Sequence, residues 1–193
     1  MRTRPSGPRL RPTLLHLALA SGLLGPVLAC SEPPPASATE PAAQPAPAAP
    51  ADVGYDLRRL RPRDEETLEA MFERLRAQAL ADGKRVAVLF SADWCAPCRE
   101  LETELGNRHP AEQIGDLRIL ELKEEDWQAA ARMDEFNGLR KRWAPQVGSY
   151  PLLLLLDAAG KRVDEMKEAI ARLEKAGVQP TLANWIAVTR PKA

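Results

Sequence analysis

Cys95 and Cys98 stand with two residues between them in Ala92-Asp93-Trp94-Cys95-Ala96-Pro97-Cys98, after an apolar run and before a stretch of helical character. Pairs at this spacing serve zinc sites, haem attachment, structural disulfides and redox exchange. Zinc needs two more soft or imidazole ligands, and the domain offers only His109. Covalent haem wants a histidine directly after the second cysteine, where this chain has Arg99. A disulfide closing so small a ring adds little stability. The inventory favours thiol–disulfide exchange, with no metal.

The order strand, turn, helix would put Cys95 at a helix start, where unpaired amide N–H groups and the helix dipole favour negative charge. The thiolate is the attacking species, so this placement suits a nucleophile. Pro97 fits the first helical turn, where its missing N–H is not needed. Cys98, one turn inward, is placed to attack a mixed disulfide and release product.

The surrounding elements must hold that turn. Apolar spacing predicts a helix over 63–81, with Asp64 as N-cap and Gly83 just past its end. Residues 85–91 form an apolar run of strand length, as in a strand covered on both faces. A helix over 95–105 would turn Leu101 and Leu105 inward, and a second buried strand is expected over 117–122. Residues 126–143 read as helix, interrupted or bent near Asn137-Gly138. Five leucines, 152–156, are a core strand, because so short a run cannot cross a bilayer. A turn at 158–161, a hairpin partner over 162–166 and helices over 167–176 and 181–189 complete the order. The expected class is α/β, with layered helices and strands. Trp127, Trp143 and Trp185 fall at core positions, His109 reads as a loop residue, and 121–126 reads as a solvated acidic connection.

The 193 residues contain 27 basic and 27 acidic side chains, so net charge gives no reason to expect nucleic acid. Arg2, Arg4, Arg9 and Arg11 precede the first acid and are followed by an apolar stretch from Thr13 to Leu28. That stretch is short for a membrane-spanning helix and fits an export signal. Its end, Val27-Leu28-Ala29-Cys30, resembles the bacterial lipoprotein lipobox, although Leu28 is bulky for the middle position. The resemblance implies a signal peptide over 1–29 and a mature N-terminus at Cys30 carrying diacylglycerol on its sulfur and an N-linked acyl chain. Several acyl chains hold a protein at a membrane far better than one. Residues 30–54 then read as the lipidated cysteine and a Pro/Ala-rich flexible linker, and 55–193 as the folded domain.

Trp94-Cys95-Ala96-Pro97-Cys98 resembles the active site of the thioredoxin superfamily, and Tyr150-Pro151 before the leucine run resembles its second marker. The likeness is greatest to periplasmic thioredoxin-like domains of the disulfide-reductase type. It implies a thioredoxin-like fold, a central mixed sheet flanked by helices. It also implies that Pro151 is cis and faces the cysteine pair, and that Tyr150 lines the substrate groove. One departure is Leu89, six residues before Cys95, where the family usually buries an aspartate as proton relay for the inner thiol. Glu102, four residues after Cys98, shares a helix face with it and is the candidate replacement; a solvated surface carboxylate is the alternative reading. Asp93 could tune Cys95, although like charge would oppose thiolate formation.

The expected function is an extracytoplasmic thiol–disulfide oxidoreductase, more reductase or interchange protein than oxidase. Cys95 is the nucleophile and Cys98 the resolving thiol; Trp94, Pro97, Tyr150, Pro151 and Glu102 support them. No nicotinamide or flavin motif is present, so the expected cofactor is none beyond the redox-active Cys95–Cys98 disulfide. The expected partners are protein disulfides, a membrane thiol-reductant donor, and a bacterial membrane through the lipid anchor, with the domain facing the periplasm or cell exterior. The other readings are a disulfide oxidase or isomerase, and a non-catalytic assembly factor or metallochaperone holding Cu(I) on its thiols.

Overall fold

A computed structural model describes residues 51–146 and 148–191; the expected leader, Cys30, most of the expected linker and Val147 lie outside them. The chain runs through β1 (Asp52–Gly54), β2 (Asp56–Arg59), α1 (Leu68–Ala81), β3 (Arg85–Ser91) and α2 (Ala96–Leu105). It continues through β4 (Arg108–Pro110), α3 (Ala111–Ile114), β5 (Leu117–Lys123), α4 (Glu124–Ala129) and α5 (Met133–Lys141). β6 (Leu152–Leu156), β7 (Arg162–Glu165), α6 (Met166–Lys175) and α7 (Leu182–Val188) follow.

The main sheet has the order β2-β5-β3-β6-β7. β2, β5 and β3 run parallel, while β6 and β7 are antiparallel to their neighbours, so the sheet is mixed, as the resemblance implies. Successive side chains of a strand point to opposite faces. Val86, Val88 and Phe90 accordingly enter one core layer with Phe72, Trp127, Phe136 and Trp143. Ala87 and Leu89 enter the other with Leu101, Leu105, Leu173 and Trp185. The leucine run divides the same way: Leu152, Leu154 and Leu156 to the first layer, Leu153 and Leu155 to the second. Burying a leucine is worth roughly 1.5–3 kcal/mol, so this run pins the register of the central strands.

The chain departs from the pattern in four places. α1 starts at Leu68 with Thr67 as N-cap, not Asp64, and the Thr67 hydroxyl accepts from Ala70 N–H at 3.2 Å. Long-range contacts hold the preceding residues out of the helix. Arg132 donates to the carbonyls of Arg63 and Glu66, and Glu135 takes the Leu68 N–H. The expected helix over 126–143 is two helices, broken at 130–132 and not at Asn137-Gly138. Ala131 has φ 53° and Arg132 N–H returns to Trp127 O, a helix ending that glycine normally supplies.

β1 pairs antiparallel with β4, so Asp52–Gly54, inside the expected linker, form a strand, and His109 belongs to a strand and not a loop. Tyr55 packs edge-on against His109 and donates to Glu104. Finally, 121–126 is no solvated connection. Glu121 is buried, Glu125 accepts the Asp93 N–H, and Asp126 binds the Arg59 guanidinium. Among the described residues no helix is long and apolar enough to cross a membrane.

Candidate active site

β3 delivers the chain to the turn Ala92-Asp93-Trp94, and α2 opens immediately after it. Cys95 is the N-cap of α2, in extended conformation, and its sulfur accepts the Cys98 N–H at 3.2 Å. This is the position that a capping oxygen fills in most helices, here occupied by sulfur. Cys95 and Cys98 form a disulfide, with an S–S distance of 2.23 Å and a Cα–Cα distance of 5.2 Å. Pro97 lies in the first helical turn, as its lack of N–H favours.

The two cysteines face different surroundings. Cys95, itself only 5% exposed, lines a cavity of about 550 Å³ beside Trp94, Pro97, Ser149, Tyr150 and Arg140, whereas Cys98, at 1%, does not line it. Ala92, Cys95 and Cys98 pack together with Tyr150 against them. The Tyr150–Pro151 peptide is cis, and Pro151 is buried. The rings of Trp94 and Tyr150 meet edge-on at 5.6 Å. Burial pushes the Tyr150 hydroxyl pKa up, and Glu124 beside it adds to the effect.

Glu102 lies on α2 with its carboxylate 2.6 Å from Lys123 Nζ, and Lys123 also binds Asp93. The hydrogen bond from Lys123 holds the Asp93 carboxyl below its usual range. Lys123 offsets part of the Asp93 charge, a cation that Asp93 shares with Glu102. The buried acid in this region is one that pattern reading missed. Glu121, on β5, pairs in register with Leu89, which stands where the family usually buries its aspartate. It is 4% exposed, accepts from the Ser91 hydroxyl at 3.1 Å, and burial pushes its pKa up.

Arg140 was also missed. It is 6% exposed, with its guanidinium 5.5 Å from the Tyr150 ring centre, and its Nε has no hydrogen-bond partner among the described residues. The available signal was its place one helical turn after the core residue Phe136, on the inward face of α5. Among the described residues no group of three or more His, Cys, Asp or Glu side chains is arranged to hold a metal.

A strand, a capping cysteine, a buried partner cysteine and a cis-proline after a tyrosine packed on the pair are the marks of a thioredoxin-type site. The family described as thioredoxin-like domain matches residues 72–175, more than half of the chain, and the chain belongs to that family. Solved structures are similar to this chain at low identity. A poplar thioredoxin h is 20% identical over 63% of this chain and 95% of its own, with a TM-score of 0.41. A disulphide isomerase from Xylella fastidiosa Temecula1 is 17% identical over 67% and 93%, with a TM-score of 0.38. Trxlp from Edwardsiella tarda EIB202 is 27% identical over 56% and 84%, with a TM-score of 0.33. No functionally curated protein matches the chain.

Proposed function

We propose that this chain is an extracytoplasmic thiol–disulfide oxidoreductase that reduces protein disulfides. The observation that carries the reading is the asymmetry of the pair: Cys95 lines the groove at the start of α2, and Cys98 is buried behind it. In the reduced form, amide N–H groups at the helix start and the Arg140 cation in the same groove favour negative charge on the Cys95 sulfur. The Cys95 thiolate attacks one sulfur of a substrate disulfide and expels the other as a thiolate, which takes up a proton. Cys98 then gives up its proton and attacks Cys95 Sγ, releasing the second substrate thiol. Two electrons pass to the substrate, and the pair is left as the disulfide. Glu121 is the acceptor we assign for the Cys98 proton, since Ser91 ties it to the turn that carries the pair.

The two-electron carrier is the cysteine pair itself, with no further cofactor. It is restored by a dithiol donor at the membrane. In this reading residues 1–29 are the export signal, lipidated Cys30 anchors the chain to a bacterial membrane, and the following Pro/Ala-rich segment tethers the domain on the periplasmic or outer side. Palmitate labelling of wild type and Cys30→Ala, with fractionation, tests the anchor; label retained without Cys30 removes it.

Equilibration of the pair against glutathione or dithiothreitol, with thiol trapping, tests the chemistry. A potential near roughly −270 mV fits a reductase, one near roughly −120 mV an oxidant, and a pair that never cycles ends the redox reading.

A further inference from the structure

We propose that the groove selects disulfides with a carboxylate close to the half-cystine, and that Arg140 is the residue that receives it. This rests on the disulfide exchange proposed above and names its substrate class. Two arginines are buried among the described residues, Arg118 and Arg140. Arg118 is held by the carboxylates of Asp56 and Asp82. Half-buried arginines elsewhere follow the same rule: Arg85 and Arg190 share Asp116, and Arg132 binds Glu135. Arg140 has no ion-pair partner among the described residues, and its Nε is buried with no acceptor.

A guanidinium does not escape this by losing its proton, so its burial is unfavourable until an anion or several acceptors meet it. The Tyr150 ring 5.5 Å away compensates in part, through attraction between the cation and the ring face. What remains is a planar fork of donors, matched to a carboxylate, lining the cavity that Cys95 lines. Its floor is fixed, because Phe136 and Leu139 anchor the same face of α5 in the core. Lys167 adds a second cation at the rim, donating to the Ser149 hydroxyl. Glu124 also lines the groove, so the attraction is local to Arg140 and not a general positive field. Arg140 and Cys95 line one cavity of about 550 Å³, which is roughly 10 Å across, or two to three Cα–Cα spacings of about 3.8 Å, so the acid belongs within a residue or two of the half-cystine.

Stopped-flow reduction of three disulfide peptides by the reduced full chain tests this. The peptides are identical except for Glu, Gln or Lys beside the half-cystine. The Glu peptide is expected to react at least about tenfold faster than the Gln peptide, equivalent to about 1.4 kcal/mol, and the Lys peptide slowest. Arg140→Met brings the Glu-to-Gln ratio to one, and Arg140→Lys restores part of it. Should Arg140→Met fail to fold, the wild-type ratio and its fall with added salt carry the test. Oxidised glutathione, a small disulfide with carboxylates of its own, should react more slowly than the Glu peptide; a faster reaction overturns the peptide assignment. Equal wild-type rates for Glu and Gln peptides overturn the Arg140 role alone. Reduction of none of them overturns the redox reading and this inference with it.

Discussion

Ser91 and Glu121 meet across β3 and β5, the serine hydroxyl donating to a buried carboxylate at 3.1 Å, one strand away from where the family usually carries its acid. Burial pushes the Glu121 pKa up, so the folded state holds this proton more tightly than the unfolded chain does. Stability contributed by the protonated form is fully present below the unfolded value of about 4.3 and is lost as pH rises from there through the raised folded value. Glu121→Gln should therefore gain on the order of 1 kcal/mol over wild type at neutral pH and converge with it at acid pH. Urea unfolding at several pH values reads this. If Glu121 also takes the Cys98 proton, the same variant flattens the pH profile of the resolving step, whereas Glu102→Gln leaves that profile in place.

The asymmetry of the cysteine pair predicts different fates for the two serine variants. Cys98→Ser should accumulate a mixed disulfide between Cys95 and its substrate, visible on a non-reducing gel and by mass spectrometry. Cys95→Ser should abolish turnover and trap nothing. A trap formed by Cys95→Ser and not by Cys98→Ser would reverse the roles.

Ala131 holds the left-handed conformation between α4 and α5 at φ 53°. For an L-residue with a Cβ this conformation is unfavourable by roughly 1–2 kcal/mol, and glycine avoids it. Glycine's greater freedom in the unfolded chain offsets part of the gain. Ala131→Gly should still raise stability by about 0.5–1 kcal/mol, seen as a higher urea midpoint with unchanged slope.

Asp116 joins Arg85 at the start of β3 to Arg190 beyond α7. Burial alone would raise its pKa, but the hydrogen bonds from Arg190 and Arg85 prevail and hold the carboxyl well below the usual range. With the folded value depressed, its contribution is full above the unfolded pKa of about 3.9 and is lost progressively as pH falls from there through the depressed folded value. Asp116→Asn should cost about 1 kcal/mol at neutral pH, discounted for its partial exposure, and progressively less as pH falls below about 4. Thermal unfolding at pH 7 and pH 3 distinguishes this from a pH-independent packing defect.

The elements visible in the amino-acid pattern were those whose information is local. β3 and β6 are continuous apolar runs, and the helices over α1, α2, α6 and α7 show inward positions at helical spacing. β1, β2 and β4 left no such trace. They are three or four residues long, and β2 (Asp-Leu-Arg-Arg) is tied to the sheet by distant charges: Asp56 by Lys84 and Arg118, Arg59 by Asp126. The break at Ala131 was hidden because the residue in the left-handed position is not glycine. At the site, the cysteine pair, Trp94 and Tyr150-Pro151 were legible because a short motif sets their geometry. Glu121 and Arg140 were not, since a charge in a pattern is read as solvated unless its neighbours at i±2 or i±4 are weighed. Ile119 and Phe136 stood at those spacings.

Three of the four tryptophans are sealed in the core: Trp127 and Trp185 at 0% and 1% exposure, Trp143 at 7%. Trp94, at 67%, is directly bonded in sequence to Cys95 and lines the same groove. A disulfide quenches indole emission at contact range, and a dithiol does so far less. The buried three should therefore supply a nearly constant background, and reduction of the pair should change the emission of the fourth. On the proposed chemistry the chain carries its own optical gauge, and intrinsic fluorescence should follow its oxidation and reduction in real time, without a label or a coupled assay.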